Sequence, residues 1–251
     1  MPFFPESLLA LLAAPAIGSF MGVLVRRLPR GRPVVASRSA CEQCGRVLRA
    51  AELLPLASFA WQRGRCAGCG AAIGWFHPAI ELAALAVAGL MVLVAGGDSL
   101  SLWAGCVLGW TCLTLALIDL WHQRLPDVLT LPLLLAGLAV CALRTPEQLG
   151  WHALAAALGW LGFRTVALLY RRLRGIDGLG QGDAKLLAAA GAWVGLAPLP
   201  EVFGGAALLT LLGVLGEAGW RRRAPGRERR VPFGPGLAAA TFGVWLLTSA
   251  P

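Results

Sequence analysis

Gly180-Gln181-Gly182-Asp183-Ala184-Lys185 sets a carboxylate between a glycine-rich turn and an apolar run. Earlier in the chain, Leu115-Ala116-Leu117-Ile118-Asp119 ends another apolar run on a second carboxylate. An ionisable group at the end of a membrane helix is costly to place there and marks function by default. The fold is therefore expected to bring Asp119 and Asp183 together at one edge of a bilayer.

Composition makes the bilayer the solvent. The chain has 251 residues, 57% of them apolar and 14% charged, with a mean hydropathy of +0.69. A soluble domain carries roughly 25% charged residues. Several runs approach the ~20 apolar residues that span a membrane, so one large soluble core is excluded. Met1 to Glu6 lack a basic n-region. The run that follows is long enough to stay as an anchor, so no cleaved signal peptide is expected.

Eight spans can be drawn, near Pro5–Val25, His77–Ala95, Leu100–Leu120, Val128–Leu143, Trp151–Tyr170, Ala184–Leu196, Glu201–Glu217 and Pro235–Thr248. The expected class is all-α: a polytopic membrane protein of about eight helices. Residues 1–25 form its first helix, 26–76 a polar insert and 77–251 a membrane bundle. Arg26-Arg27-Leu28-Pro29-Arg30-Gly31-Arg32-Pro33 closes the first span with basic and helix-breaking residues.

Charge predicts orientation. With the N-terminus outside, the inside segments are 26–76, 119–127, 171–183 and 220–234, and they hold 19 of the 22 basic residues. Cytoplasmic enrichment of Lys and Arg is the usual signature. It accounts for the net charge of +9 without invoking nucleic acid. Asp119 and Asp183 are two spans apart, so both return to the cytoplasmic side.

The insert holds nine arginines, two acids (Glu42 and Glu52) and the pairs Cys41-Glu42-Gln43-Cys44 and Cys66-Ala67-Gly68-Cys69, 21 residues apart. Gly45 and Gly70 follow the pairs and suit the tight turns of a zinc knuckle. Cys-x-x-Cys pairs on a reducing face favour metal over disulfides. Four thiolates close a tetrahedral Zn²⁺ site, which makes it structural. A redox pair or free thiols are the alternative. The arginines could also suit a nucleic-acid-binding ribbon, but the insert is tied between two spans and orientation accounts for its charge. Cys106, Cys112 and Cys141 lie in apolar runs and read as small hydrophobes.

Two adjacent carboxylates do not both ionise readily and share a proton. One can act as base on a water while the other protonates the scissile group, as in aspartic proteases, and the pair titrates as a unit. The helix start at Asp183 favours its ionised form and points to it as the base. The glycines Gly180 and Gly182 let backbone approach the acid closely. Blander roles stand beside these. Asp119 could cap a helix end, Asp127 suits the N-cap of the fourth span, and Asp177 sits in a polar loop. Lys185 reads as an interfacial lysine that could also tune the acid pair. Glu81, one turn into the second span, could make a buried polar contact or meet substrate. His77, His122 and His152 are dispersed, and no Gly-x-Ser-x-Gly or His-Glu-x-x-His motif occurs.

The chain resembles the type IV prepilin peptidases over nearly its whole length. The resemblance begins with Gly18-Ser19-Phe20, Arg27-Leu28-Pro29-Arg30-Gly31, the four-cysteine insert, Leu54-Pro55 with Ser58, and Arg63-Gly64-Arg65-Cys66. It continues through Pro78 with Glu81, Asp119 with Pro126-Asp127, Gly180 to Leu187, Gly191-Ala192-Trp193, and Pro232-Phe233-Gly234-Pro235. The resemblance implies that Asp119 and Asp183 are the catalytic acids. It also implies removal of a prepilin or pseudopilin leader at the cytoplasmic face of the inner membrane, serving type IV pili or type II secretion. Methylation of the new amino terminus from S-adenosylmethionine would follow, associated with the N-terminal part and its zinc insert. The family carries asparagine after Gly-Ser-Phe-x, where this chain has Gly22. Membrane lipid is the other expected partner, with the basic face on anionic headgroups; nucleic acid is not one. Two other classes stay open: a transporter or channel using membrane carboxylates, although no internal repeat is found, and a non-enzymatic zinc-ribbon scaffold of a secretion machine.

Overall fold

A computed structural model describes residues 5–36, 38–175, 180–221 and 231–249. Asp177 and the arginines within 222–230 lie outside the described residues. The chain divides into two compact units, Met1–Trp110 and Thr111–Pro251. The first holds α1 (Pro5–Arg27), α2 (Ala57–Trp61), α3 (Phe76–Val94) and the opening turns of α4 (Ser99–His122). The second holds the rest of α4, then α5 (Asp127–Arg144), α6 (Leu149–Arg174), α7 (Gln181–Val194), α8 (Leu199–Arg221) and α9 (Gly234–Ser249).

Each of the eight expected spans is a helix, with ends shifted by a few residues. Among the described residues six are long and apolar enough to cross a membrane: α1, α3, α4, α5, α6 and α8. This is a multi-pass membrane protein. Exposed leucines such as Leu208, Leu211, Leu212 and Leu215 on α8 are what lipid contact requires. At 14 residues, α7 is only about 21 Å long. It need not match the bilayer, because every residue from Asp183 to Val194 except Lys185 is buried by protein.

Small side chains permit that burial. In the second unit α7 packs on α5, α6 and α9. A Cβ on Gly137 would lie 2.6 Å from Trp193 Cδ1, and one on Gly159 would lie 3.0 Å from the Leu187 carbonyl oxygen. Trp193 Nε1 donates to the Leu133 carbonyl at 2.8 Å, and its ring meets Trp245 edge-on at 5.8 Å. Close backbone approach through small residues is how membrane helices pack when water supplies no driving force between them. At Gly191 an added Cβ would sit 2.6 Å from both the carbonyl carbon and oxygen of Ala155. Only a backbone shift relieves that overlap, so Gly191→Ala is expected to destabilise the protein by about 1–3 kcal/mol. Unfolding in detergent measures this, and an unchanged midpoint would contradict so close a crossing.

In the first unit α1 and α3 lie together. A Cβ on Gly18 would reach within 2.6 Å of Glu81 Cα, and one on Gly22 within 2.8 Å of His77 Nδ1. Glycine at position 22 thus leaves the room that the His77 ring occupies. Trp110 Nε1 of α4 donates to the Ala84 carbonyl of α3 at 2.9 Å.

Candidate functional site

The cysteine pairs fold as two matching turns. In the first, Cys41 N–H donates to the Arg46 carbonyl at 2.9 Å and Gly45 N–H to the Cys41 carbonyl at 3.0 Å. In the second, Cys66 N–H donates to the Ala71 carbonyl at 2.9 Å and Gly70 N–H to the Cys66 carbonyl at 2.8 Å. Antiparallel bridges Ala40–Val47 and Arg65–Ala72 flank the respective turns. Gly45 and Gly70 take φ of +69° and +72°, which glycine adopts without a Cβ penalty. The four sulfurs all lie within 4.8 Å of one another, and Cys41 and Cys69 Sγ are 3.9 Å apart. A disulfide would need about 2.05 Å. Four thiolates at Zn–S of about 2.3 Å stand about 3.8 Å apart around a tetrahedral ion. The cluster could therefore hold a metal ion. N–H groups of Cys69 and Gly68 aimed at the Cys66 sulfur hold its thiol down to about 6, the thiolate form a metal takes. Cys106, Cys112 and Cys141 are buried within their helices.

The two acids belong to the second unit, and both are buried. Asp119 lies one turn before the end of α4. Its Oδ2 accepts the N–H of Gly234 at 2.9 Å. Gly234 opens α9, so its amide is one of the donors a helix start leaves unpaired. Asp183 is the third residue of α7, whose N-cap is Gly180. Its carboxylate turns back to accept the Gly180 N–H, the acidic half of a capping box. The two carboxyls are close enough that charge on Asp119 acts on Asp183. Each accepts one amide from a helix start, so amide donors do not distinguish base from acid.

Both sequence-marked glycines touch this arrangement. A Cβ on Gly180 would lie 2.7 Å from Asp183 Oδ2, and one on Gly182 would lie 2.8 Å from Leu125 Cβ. Neither glycine has a positive φ; room, not backbone freedom, is what they supply. Lys185 bonds both oxygens of Asp127 at 2.5 and 2.7 Å, tying α7 to the start of α5. Asp127 is not the N-cap expected from the sequence. Pro126 takes that position with extended backbone, φ −69° and ψ 134°, and the Asp127 carboxylate is engaged by Lys185.

Glu81 lies in the first unit, 5% exposed, and accepts the Leu56 N–H at 2.8 Å. Gly234 is the residue of this arrangement that the sequence left without a role. Its neighbour Phe233 sits in a cluster with Phe163 and Phe203, ring centres 6.0 and 6.2 Å away. That cluster anchors the start of α9 and so holds the Gly234 amide on Asp119. The available signal was Pro232-Phe233-Gly234-Pro235, a glycine between two prolines at a helix start.

Residues 12–95 match the model of the bacterial peptidase A24 N-terminal domain, and residues 106–215 that of the type IV leader peptidase family. Three similar proteins carry the name prepilin leader peptidase/N-methyltransferase. That of Burkholderia pseudomallei strain 1026b is 38% identical over 92% of this chain and 82% of its own length. That of Dichelobacter nodosus is 39% identical over 83% and 70%, and that of Pseudomonas aeruginosa 35% over 93% and 87%. No solved structure matches the chain significantly.

Proposed function

The chain belongs to the type IV leader peptidase family, and on that premise we propose that Asp119 and Asp183 are its catalytic acids. The protein is an aspartic endopeptidase that removes prepilin leaders, and an N-methyltransferase. One observation carries the site assignment. Two buried carboxylates from different helices are each held by a single helix-start amide, near enough for their charges to interact. Two such carboxylates do not both ionise readily, so one is protonated while the other is charged. The ionised member takes a proton from water as it attacks the scissile carbonyl, and the protonated member donates to the leaving amine. Gly180 leaves room for the Asp183 carboxylate and Gly182 for Leu125, and Lys185 fixes α7 to α5 through Asp127.

The bundle is assigned to the bacterial inner membrane, with the N-terminus outside and the acids at the cytoplasmic face. Nineteen of the 22 basic residues fall in segments that this orientation puts inside. The substrates are prepilins or pseudopilins. The apolar helices suit the hydrophobic segment that follows the cleavage point, and the exposed arginines suit anionic lipid. Residues 77–251 are the peptidase bundle and 26–76 the insert that accompanies methyl transfer. Neither a transporter nor a scaffold is favoured by the relatives found.

The cysteine cluster is assigned a structural Zn²⁺ held by Cys41, Cys44, Cys66 and Cys69, which fits their spacing and leaves no open position. Cys41→Ser is expected to lose about one metal ion per chain. Metal analysis of purified protein checks this, and full retention would reject the tetrathiolate. The function itself is tested by incubating the purified enzyme with a prepilin and S-adenosylmethionine and weighing the product. A shortened, methylated chain is expected; an intact leader would overturn the peptidase reading.

A further inference from the structure

One side chain of the cysteine module reaches in two directions. Arg46 follows the glycine of the first knuckle, and its carbonyl closes that knuckle by accepting the Cys41 N–H at 2.9 Å. Its side chain runs to the second knuckle. A Cβ on Gly68 would lie 2.7 Å from Arg46 Nε and 3.0 Å from Cδ, so the arginine crosses the Cys66–Cys69 turn where that turn has no side chain. Arg46 Nε is buried there with no hydrogen-bond partner among the described residues. Glu52 and, more weakly, Cys66 favour the charged form of the guanidinium.

The other direction leads away from the cysteines. Arg46 Nη2 donates to Glu52 Oε1, and the Glu52 side chain is only 10% exposed. Glu52 Oε2 accepts the Arg49 N–H at 2.7 Å, which closes the start of the 3-10 turn Ala50–Leu53. Just beyond that turn, Leu56 takes φ +58° and ψ −48°. Such backbone persists only where the surrounding structure fixes it. The Leu56 amide is held by Glu81 of α3 at 2.8 Å. Residues 49–56 are thus fixed at one end through Arg46 and at the other through α3.

Four thiolates around Zn²⁺ carry excess negative charge. A cation with a free, buried N–H against the second cysteine pair is the outer partner such a cluster needs, and outer partners govern how tightly a metal is held. Arginine suits this place because its planar fork serves two acceptors at once. We propose that Arg46 is the outer partner of the metal cluster and couples its occupancy to the conformation of residues 49–56. That coupling rests on the structural-zinc reading. It gives the cysteine module a second task, setting the Leu56 amide against Glu81. Coupling is reciprocal, so the Glu52 end of the strut in turn helps to retain the metal.

The test uses the full chain in detergent, loaded with Zn²⁺ and titrated with a chelator while hydrogen exchange is followed at residues 49–56. Stripping zinc from wild type is expected to speed exchange there about fivefold or more. Arg46→Gln is expected to weaken zinc binding about 10–100-fold and to exchange fast at residues 49–56 with or without zinc. Glu52→Gln can still accept the Arg49 N–H and leaves the knuckles untouched. It is expected to show the same zinc-independent exchange, and it decides the matter if Arg46→Gln does not fold. Wild-type zinc affinity in Arg46→Gln would overturn the coupling while leaving the tetrathiolate intact. So would exchange in Glu52→Gln that still follows zinc loading, or exchange in wild type that ignores the removal of its one bound ion. Wild type that retains no zinc would bring down both readings.

Discussion

Asp119→Asn and Asp183→Asn are each expected to lower leader removal by roughly 10²–10⁴-fold. Asparagine preserves the shape of the side chain and can still accept the amide that holds it, from Gly234 to position 119 and from Gly180 to position 183. What it loses is the ability to hold the shared proton. The expected defect is therefore in the chemical step and not in folding. Groups that act as one unit are non-additive, so the double variant should be scarcely slower than either single one. Single-turnover cleavage of a prepilin by the purified proteins measures all three. Two independent defects that multiply would argue against a shared-proton pair. Leader removal at the wild-type rate by either single variant would remove that residue from the mechanism.

Gly234→Ala is expected to cost about 10²-fold in cleavage while leaving the protein folded. The added Cβ would lie 2.6 Å from Asp119 Oδ2 and 2.8 Å from Cγ. Phe233 is anchored against Phe163 and Phe203, so the carboxyl yields more readily than the start of α9. A displacement of about 1 Å at a reacting group is enough for a loss of that size. The readouts are the cleavage rate and the unfolding midpoint in detergent. Gly243→Ala is the comparison, since a Cβ on Gly243 of the same helix meets nothing within 4 Å. Equal activity in the two variants would show that the Gly234 approach does not position Asp119.

Much of this was legible from residues alone. The eight helices followed from apolar runs, because hydropathy is local and additive along the chain. The cysteine turns followed from two Cys-x-x-Cys pairs with trailing glycines, since each knuckle is closed by hydrogen bonds spanning only a few residues. Asp183 could be placed at a helix start for the same reason: its partner Gly180 is three residues away. Asp127 shows where local reading stops. Its position beside Pro126 suited an N-cap, yet Lys185, 58 residues away in sequence, takes its carboxylate. Glu81 left two roles open because its partner Leu56 lies 25 residues upstream in another element.

The sequence by itself determined a membrane bundle of about eight helices, a four-thiolate module between the first two spans and a pair of acids at helix ends. These are properties of short windows. Tertiary structure decided the rest. The Gly234 amide reaches Asp119 across 115 residues, Gly191 lets α7 press on the α6 backbone, and Glu81 accepts the Leu56 amide from another element. No local pattern specifies such meetings. Each depends on how closely two helices can pack, and that is set by whether both surfaces are small at the same crossing.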